Sequence, residues 1–243
     1  MEGTIALAEL LQQAKHAVFF GGAGVSTESG IPDFRSTDGL YRQPGGLSPE
    51  TVLSHSFFNR NPEAFFTFYR EKILAPMASP NAAHFALAEL KKRGRLACVI
   101  TQNIDGFHQK AGSRRVLELH GSSLRNTCLA CGEKHSPEAI INGIPLPRCA
   151  CGGLIRPDVV LYEERLDEEV VSGAMLEIRS CSLLIIGGTS LTVYPAAAYA
   201  AICPGKLVII NREVTPLDSR ADIVIRGPIG KVFAEVMTHI GPA

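Results

Sequence analysis

The chain has 243 residues, 46% hydrophobic and 20% charged, with 24 Lys plus Arg against 24 Asp plus Glu. A chain of that length buries roughly 70–75% of its unfolded surface, in one large domain or a large and a small one, and needs no disulfides to fold. Zero formal charge gives no basis for a stable nucleic-acid partner, and no run of about 20 apolar residues is present to cross a membrane.

A helical stripe of Ile5, Leu7, Leu10, Leu11 and Ala14 opens the chain. The acidic residues Glu2 and Glu9 and the early Lys15 make this segment unlike a secretory signal. Apolar AVFF (17–20) reads as a buried strand running into Gly21, Gly22, Ala23 and Gly24. Small residues there bring backbone amides close to a pyrophosphate. The dinucleotide fingerprint G-x-G-x-x-G is incomplete, since Thr27 stands at the third glycine and no acid closes a second strand about 20 residues on. Gly30 and Pro32 preclude a regular helix and leave Asp33, Phe34 and Arg35 on a shaped loop.

Residues 36–80 are rich in Pro and aromatics, with helices expected over 49–59 and 62–73. Another helix is expected over 82–93, ending in cations before Gly94. The strand expected at 96–101 runs into Gln102, Asn103 and Asp105, where ligands of open α/β sheets bind. His120 follows the alternation of Val116, Leu117 and Leu119, and a neutral imidazole there suits a general base. Further strands are expected at 182–188, 206–211 and 221–225, with helices at 167–179 and 194–202. Thr189, Ser190 and Asn211 sit at two of these strand ends, facing a phosphate or ribose.

Seven cysteines are too odd a set for a disulfide framework. Cys128-x-x-Cys131 and Cys149-x-Cys151 have the separation of a four-thiolate structural zinc ribbon, a closed site with no vacancy for catalysis. Cys98, Cys181 and Cys203 lie in or beside apolar runs and read as buried free thiols, consistent with a reducing cytoplasm. The alternation of strands and helices implies an α/β fold, a doubly wound Rossmann-like parallel sheet. It is expected over 1–35, 81–120 and 159–243. A helical insertion (36–80) and a zinc-ribbon insertion (121–158) are expected to form a small second domain.

In chain order, GAGVSTESGIPDFR (22–35), TQNID (101–105), ELHGS (118–122), the four clustered cysteines, RPDVVLYEE (156–164), GTSL (188–191) and INRE (210–213) resemble the sirtuin family, especially its compact bacterial members. The resemblance implies an NAD-dependent protein-lysine deacetylase acting on acetyl-lysine peptides or proteins, with NAD consumed as co-substrate. It assigns Ala23, Thr27, Phe34 and Arg35 to NAD in a mobile loop. Gln102, Ile104 and Asp105 fall on the nicotinamide side, Asn103 to water and ribose, and His120 to the general base. Thr189, Ser190 and Asn211 hold phosphate and adenosine ribose, and Ile229 lies beside adenine. Val159, Val160, Leu161 and Tyr162 pair as a strand with the substrate peptide. An ADP-ribosyltransferase, an NAD hydrolase and a non-catalytic NAD sensor remain alternatives at this point.

Overall fold

Residues 2–33, 47–75, 77–192, 198–199 and 201–241 are described by the computed structural model of the chain. Among the described residues the strands are β1 (Ala17–Gly21), β2 (Cys98–Thr101), β3 (Val116–Glu118), β4 (Gly121–Cys128), β5 (Lys134–His135), β6 (Ile155–Val159), β7 (Leu183–Gly187), β8 (Lys206–Ile210) and β9 (Ile223–Ile225). The five runs expected as buried strands become β1, β2, β7, β8 and β9, and β3 joins them at one edge. Together they form a six-stranded parallel sheet in the order β3-β2-β1-β7-β8-β9. The chain builds outward from β1 in one direction, then crosses back to β7 and builds in the other. The β1/β7 boundary is therefore a topological switch point, where doubly wound sheets bind ligands beyond their strand ends.

Why these strands lack polar alternation is visible in their packing. Phe19, Ile185, Val208 and Ile210 face one hydrophobic cluster, while Val18, Phe20, Leu184, Ile186 and Ile209 face another. Both faces are covered, so both parities are apolar. The first cluster is closed by α1 (Glu2–Gln13) and by residues of two helices introduced next. The helix at Ala82–Lys92 takes its N-cap from Asn81, and the chain's last helix spans Ile229–Ile240. That last helix is absent from the sequence expectations, although Ile229, Val232, Phe233 and Val236 have i, i+3, i+4, i+7 spacing and are all buried. On the opposite face the helix Glu168–Ser180 buries Ala174 and Ile178.

The small module has its own antiparallel sheet, β5-β4-β6. Pro157 sits within β6, which pairs on one side only, so the missing N–H costs no ladder bond. The helix expected over 49–59 divides into α2 (Pro49–Val52) and α3 (His55–Arg60). Ser54 causes the break, since its hydroxyl accepts from the Phe57 N–H at 3.2 Å and its backbone bridges to Tyr162. The helix expected over 62–73 forms as α4 (Pro62–Phe68), then widens into a π-turn over Tyr69–Ile73. Phe57, Phe58, Phe65, Phe66 and Tyr69 pack with Ile140, Ile155, Val159 and two of the clustered cysteines in a third hydrophobic cluster. The two insertions thus share one core. The helix expected over 194–202 lies largely outside the described residues, as do Phe34 and Arg35. In order along the chain, the next helices lying wholly within the described residues are α5 (Ala82–Lys92), α6 (Phe107–Lys110), α7 (Glu138–Asn142), α8 (Glu168–Ser180) and α9 (Ile229–Ile240).

Candidate active site and metal centre

At the switch point the chain leaves β1 through Gly22, Ala23 and Gly24 and passes directly against Gly188 beyond β7. A Cβ on Gly24 would lie 2.8 Å from the Gly188 Cα, and one on Gly188 (φ +57°) would lie 2.3 Å from the Val25 nitrogen. Only glycine fits either position. From sequence these amides are expected to point at a pyrophosphate. Instead the Gly22 and Gly24 N–H groups donate to the carbonyls of Gly187 (3.2 Å) and Gly188 (2.8 Å). The glycines therefore serve close packing of two strand ends.

Three strand ends converge in one polar network. Ser26 donates to the Asp105 carboxylate at 2.6 Å and accepts from the Asn103 amide at 3.1 Å. The second Asp105 oxygen accepts the Phe107 N–H at 2.9 Å, fixing the start of α6. Burial raises the Asp105 pKa above the usual carboxylate range, and these donors only partly offset it. Gln102 reaches across the switch point to the Thr189 hydroxyl at 3.2 Å. Ser123 holds the Ile104 carbonyl through both its N–H and its hydroxyl. Neither Ser26 nor Ser123 was singled out from sequence. Ser26 lies within the quoted loop motif, but its partners are 77 and 79 residues away.

His120 is half-buried between the two modules. Its Nδ1 lies 2.8 Å from the Gln102 carbonyl, which can only accept, so Nδ1 carries the proton and Nε2 of the neutral ring keeps its lone pair. Burial lowers its pKa below the ordinary histidine value, opposed by that hydrogen bond. The ring is therefore neutral and basic at pH 7.

Next to His120 runs the segment 159–162. Val160 donates to the His120 carbonyl at 2.9 Å, Leu161 to the Glu164 carboxylate at 2.9 Å, and Tyr162 to the Leu53 carbonyl at 3.0 Å. The carbonyls of Val159, Leu161 and Tyr162 accept from Arg156, Glu164 and His55. Only the Val160 carbonyl accepts nothing among the described residues. Glu163 holds a left-handed backbone (φ +76°) and accepts from both the N–H and hydroxyl of Ser56, tying this segment to α3.

One cleft of about 970 Å³ takes in all of this. It is lined by Ala23, Thr27, Gln102, Asn103, Ile104, Asp105 and His120, by Val159 to Tyr162, and by Thr189, Ser190, Asn211 and Ile229. Every sequence-selected site residue within the described part of the chain, apart from the cysteines, lines it. The volume lies near the top of the range for small-molecule sites. Tight glycines at the switch point and polar groups at three strand ends fit an extended dinucleotide such as NAD.

The four cysteines stand apart from the cleft. Cys128 and Cys151 sulfurs are 3.5 Å apart, Cys131 and Cys149 sulfurs 3.7 Å, and all four lie within 4.8 Å of one another. Zinc–thiolate bonds of about 2.3 Å in a tetrahedron require sulfur separations of roughly 3.8 Å. The set fits one structural zinc and leaves no open position. Just past the C-x-C pair Gly152 turns at φ +85°, and a Cβ on Gly153 would lie 2.6 Å from the Cys128 sulfur. Cys98, Cys181 and Cys203 are buried, as expected.

Fold and site together define a doubly wound nucleotide-binding protein with a thiolate metal ribbon. A Sir2-family sequence profile matches residues 22–195. An NAD-dependent protein deacetylase of Clostridium perfringens is 52% identical over 236 residues, covering 95% of this chain and 97% of that relative. One from Cutibacterium acnes is 51% identical over 239 residues, covering 97% and 98%. A solved Sir2–p53 peptide–NAD+ complex superimposes with a TM-score of 0.87 at 38% identity, covering 97% of this chain and 98% of that one. The chain belongs to the Sir2 family.

Proposed function

We propose that this chain is an NAD-dependent protein-lysine deacetylase, turning acyl-lysine, NAD and water into free lysine, nicotinamide and 2′-O-acyl-ADP-ribose. The observation that carries the reading is His120, a neutral imidazole in one cleft with both the dinucleotide crevice and the segment 159–162. Bound NAD supplies an electrophilic ribose carbon with nicotinamide as its leaving group. His120 Nε2 takes the proton from a ribose hydroxyl, help typically worth 10²–10⁴-fold. Nδ1–H stays on the Gln102 carbonyl, which keeps the ring in the right tautomer.

Asp105 accepts from the nicotinamide carboxamide, Gln102 and Ile104 line the same side, and Asn103 orders water and ribose. Ala23, Thr27, Phe34 and Arg35 contact NAD. Thr189, Ser190 and Asn211 hold phosphate and the second ribose, and Ile229 lies beside adenine. An acetyl-lysine peptide lies along Val159 to Tyr162. With the N–H groups of 160–162 already bonded, the Val160 carbonyl is its main backbone partner. In this reading 1–35, 81–120 and 159–243 bind NAD, while 36–80 and 121–158 form the small domain. A cytoplasmic setting accords with seven unpaired thiols. No helix among the described residues is long and apolar enough to cross a membrane.

Mass spectrometry of an acetyl-lysine peptide incubated with enzyme and NAD is the test. Deacetylated peptide with one O-acetyl-ADP-ribose per turnover is expected. Free ADP-ribose or ADP-ribosylated protein, with the peptide untouched, would replace the reading.

A further inference from the structure

The three cysteines outside the ribbon take no part in the chemistry of the cleft. Cys98, Cys181 and Cys203 are buried together in the hydrophobic cluster on the α8 face of the parallel sheet. Two of them touch. The Cys181 and Cys203 sulfurs are 3.4 Å apart, although 22 residues separate them in sequence. Cys181 ends α8 just before β7, and Cys203 lies just before β8, between exposed Ile202 and exposed Pro204. Apolar packing alone does not account for the contact, because its two sides are electrically unlike.

Cys203 sits among groups that favour a thiolate. A hydrogen bond from the Cys181 thiol, the Gly205 backbone N–H and the charge of Arg220 lower its pKa below the ordinary thiol value, against the opposing effects of burial and Asp222. Arg220 is held in place by donating to the carbonyls of Ala201 and Cys203. Cys181 has the opposite character, since the shared hydrogen bond and burial push its pKa up and keep it a thiol. Its S–H can turn to the Ile178 carbonyl at 3.1 Å or to the Cys203 sulfur. One sulfur is thus a nucleophile and the other, in contact with it, a neutral thiol that holds a proton. That is the arrangement of an attacking and a resolving cysteine.

We propose that Cys181 and Cys203 form a modification site, a dithiol that hydrogen peroxide converts reversibly into a disulfide tying the end of α8 to the start of β8. The Cys203 thiolate attacks a peroxide oxygen, the O–O bond breaks and hydroxide leaves, giving a sulfenic acid. The Cys181 sulfur then attacks the Cys203 sulfur, the S–O bond breaks, and the Cys181 proton departs with the hydroxyl as water. The two thiols together lose two electrons, and the peroxide is reduced to two waters. The sulfurs close from 3.4 Å to about 2.0 Å. A dithiol reductant reverses the step by exchange, so the bond is of the transient kind that a reducing compartment permits. Burial just beneath exposed neighbours admits peroxide, which is little larger than water. β7 and β8 are five residues long, so the bond lies about 16 Å from the cleft at their far ends. It tethers the crossover between these strands without entering the NAD site, and the inference is independent of the deacetylase reading.

The test treats the zinc-bound protein with one equivalent of hydrogen peroxide, alkylates the free thiols under denaturing conditions and maps the peptides by mass spectrometry. A Cys181–Cys203 cross-link lighter by two hydrogens is expected, with Cys98 alkylated and both thiols recovered after dithiothreitol. The cross-linked protein should melt higher by roughly 6–12 °C, as closing a loop of this length implies for a chain of this size. In Cys181→Ala, peroxide should stop at a sulfenic acid on Cys203, which dimedone labels, and in Cys203→Ala no such label should form on Cys181. Cross-links confined to the ribbon cysteines, Cys181 and Cys203 both still alkylated after peroxide, or a label on Cys181 instead, would overturn the proposal. A cross-linked protein that melts with the reduced one overturns the tether. Should either variant fold poorly, the wild-type map decides alone.

Discussion

Replacing Ser26 with Ala isolates the electrostatics of Asp105. Ser26 is 1% exposed and donates to Asp105 at 2.6 Å, so its hydroxyl stabilises the charged carboxylate in a site where burial opposes the charge. A hydrogen bond to a charged group is worth about 1.5–3 kcal/mol, and each pKa unit corresponds to about 1.4 kcal/mol. Loss of the donor should raise the Asp105 pKa by roughly one to two units. The proposed role needs the carboxylate, so activity is present above that pKa and is lost as pH falls through it. The acid limb of kcat/KM for NAD should therefore move upward by roughly one to two pH units in Ser26→Ala. His120 produces a limb of its own, because it works neutral, but Ser26 makes no bond to it and that limb stays in place. The assay is initial-rate deacetylation across pH 5 to 8, as an approximate working range, at subsaturating NAD. A profile scaled down evenly at every pH, with its acid limb unmoved, would refute the argument.

Other perturbations have equally definite outcomes. Cys128→Ala should reduce zinc content and activity together, because structural zinc contributes about 10–16 kcal/mol of apparent binding free energy linked to local folding. Metal analysis showing fully active, zinc-poor protein would contradict this. His120→Ala should abolish deacetylation while sparing part of the nicotinamide exchange, since nicotinamide departs before the base is needed; wild-type deacetylation by the variant would remove His120 from that role. His84 and His108 are buried with their rings 4.8 Å apart, and burial holds their pKa values near about 4 and about 3. The unfolded chain protonates them near 6.5, so their stabilisation is complete above that pH and declines toward the folded values, by up to about 1.4 kcal/mol per unit for each residue. Urea unfolding of the wild type and His108→Phe at neutral and acid pH should show the wild type losing more stability on acidification, and an equal loss in both would exclude the effect.

How much of this could be read from the residues depended on the range of the interactions. β1, β7 and β8 were legible because a sheet covered on both faces writes continuous apolar runs. The zinc site was legible because its ligands lie in two close pairs. β4 was not, since its sequence GSSLRNTC is largely polar and its register shifts between Ser122 and Asn126. β6 was masked by Pro157, which is tolerated only through its place at the sheet edge. The Ser54 break in the 49–59 helix depends on Tyr162, more than a hundred residues away in sequence. The motif residues within the described part of the chain line the cleft, yet the bonding of the Gly22 and Gly24 amides is a tertiary fact with no local signature.

The metal ribbon and the cleft are mechanically joined by β4, which begins one residue after His120 and ends on the zinc ligand Cys128. Its partner β6 runs the other way and delivers Val159 and Val160 back beside His120. The crossing is close. Gly121 sits at φ +75°, and a Cβ there would come within 2.1 Å of the Asp158 carbonyl oxygen, so only glycine lets the two strands pair at once beyond the histidine. Val160 N–H then fixes the His120 carbonyl, while the Gln102 carbonyl fixes its ring. His120 is therefore held on one side by the parallel sheet and on the other by the antiparallel pair that the cysteines terminate. Losing zinc should free the far end of β4 and β6 and so disturb His120 and the segment 159–162 together. A metal with no open coordination position can thus govern activity without touching the chemistry.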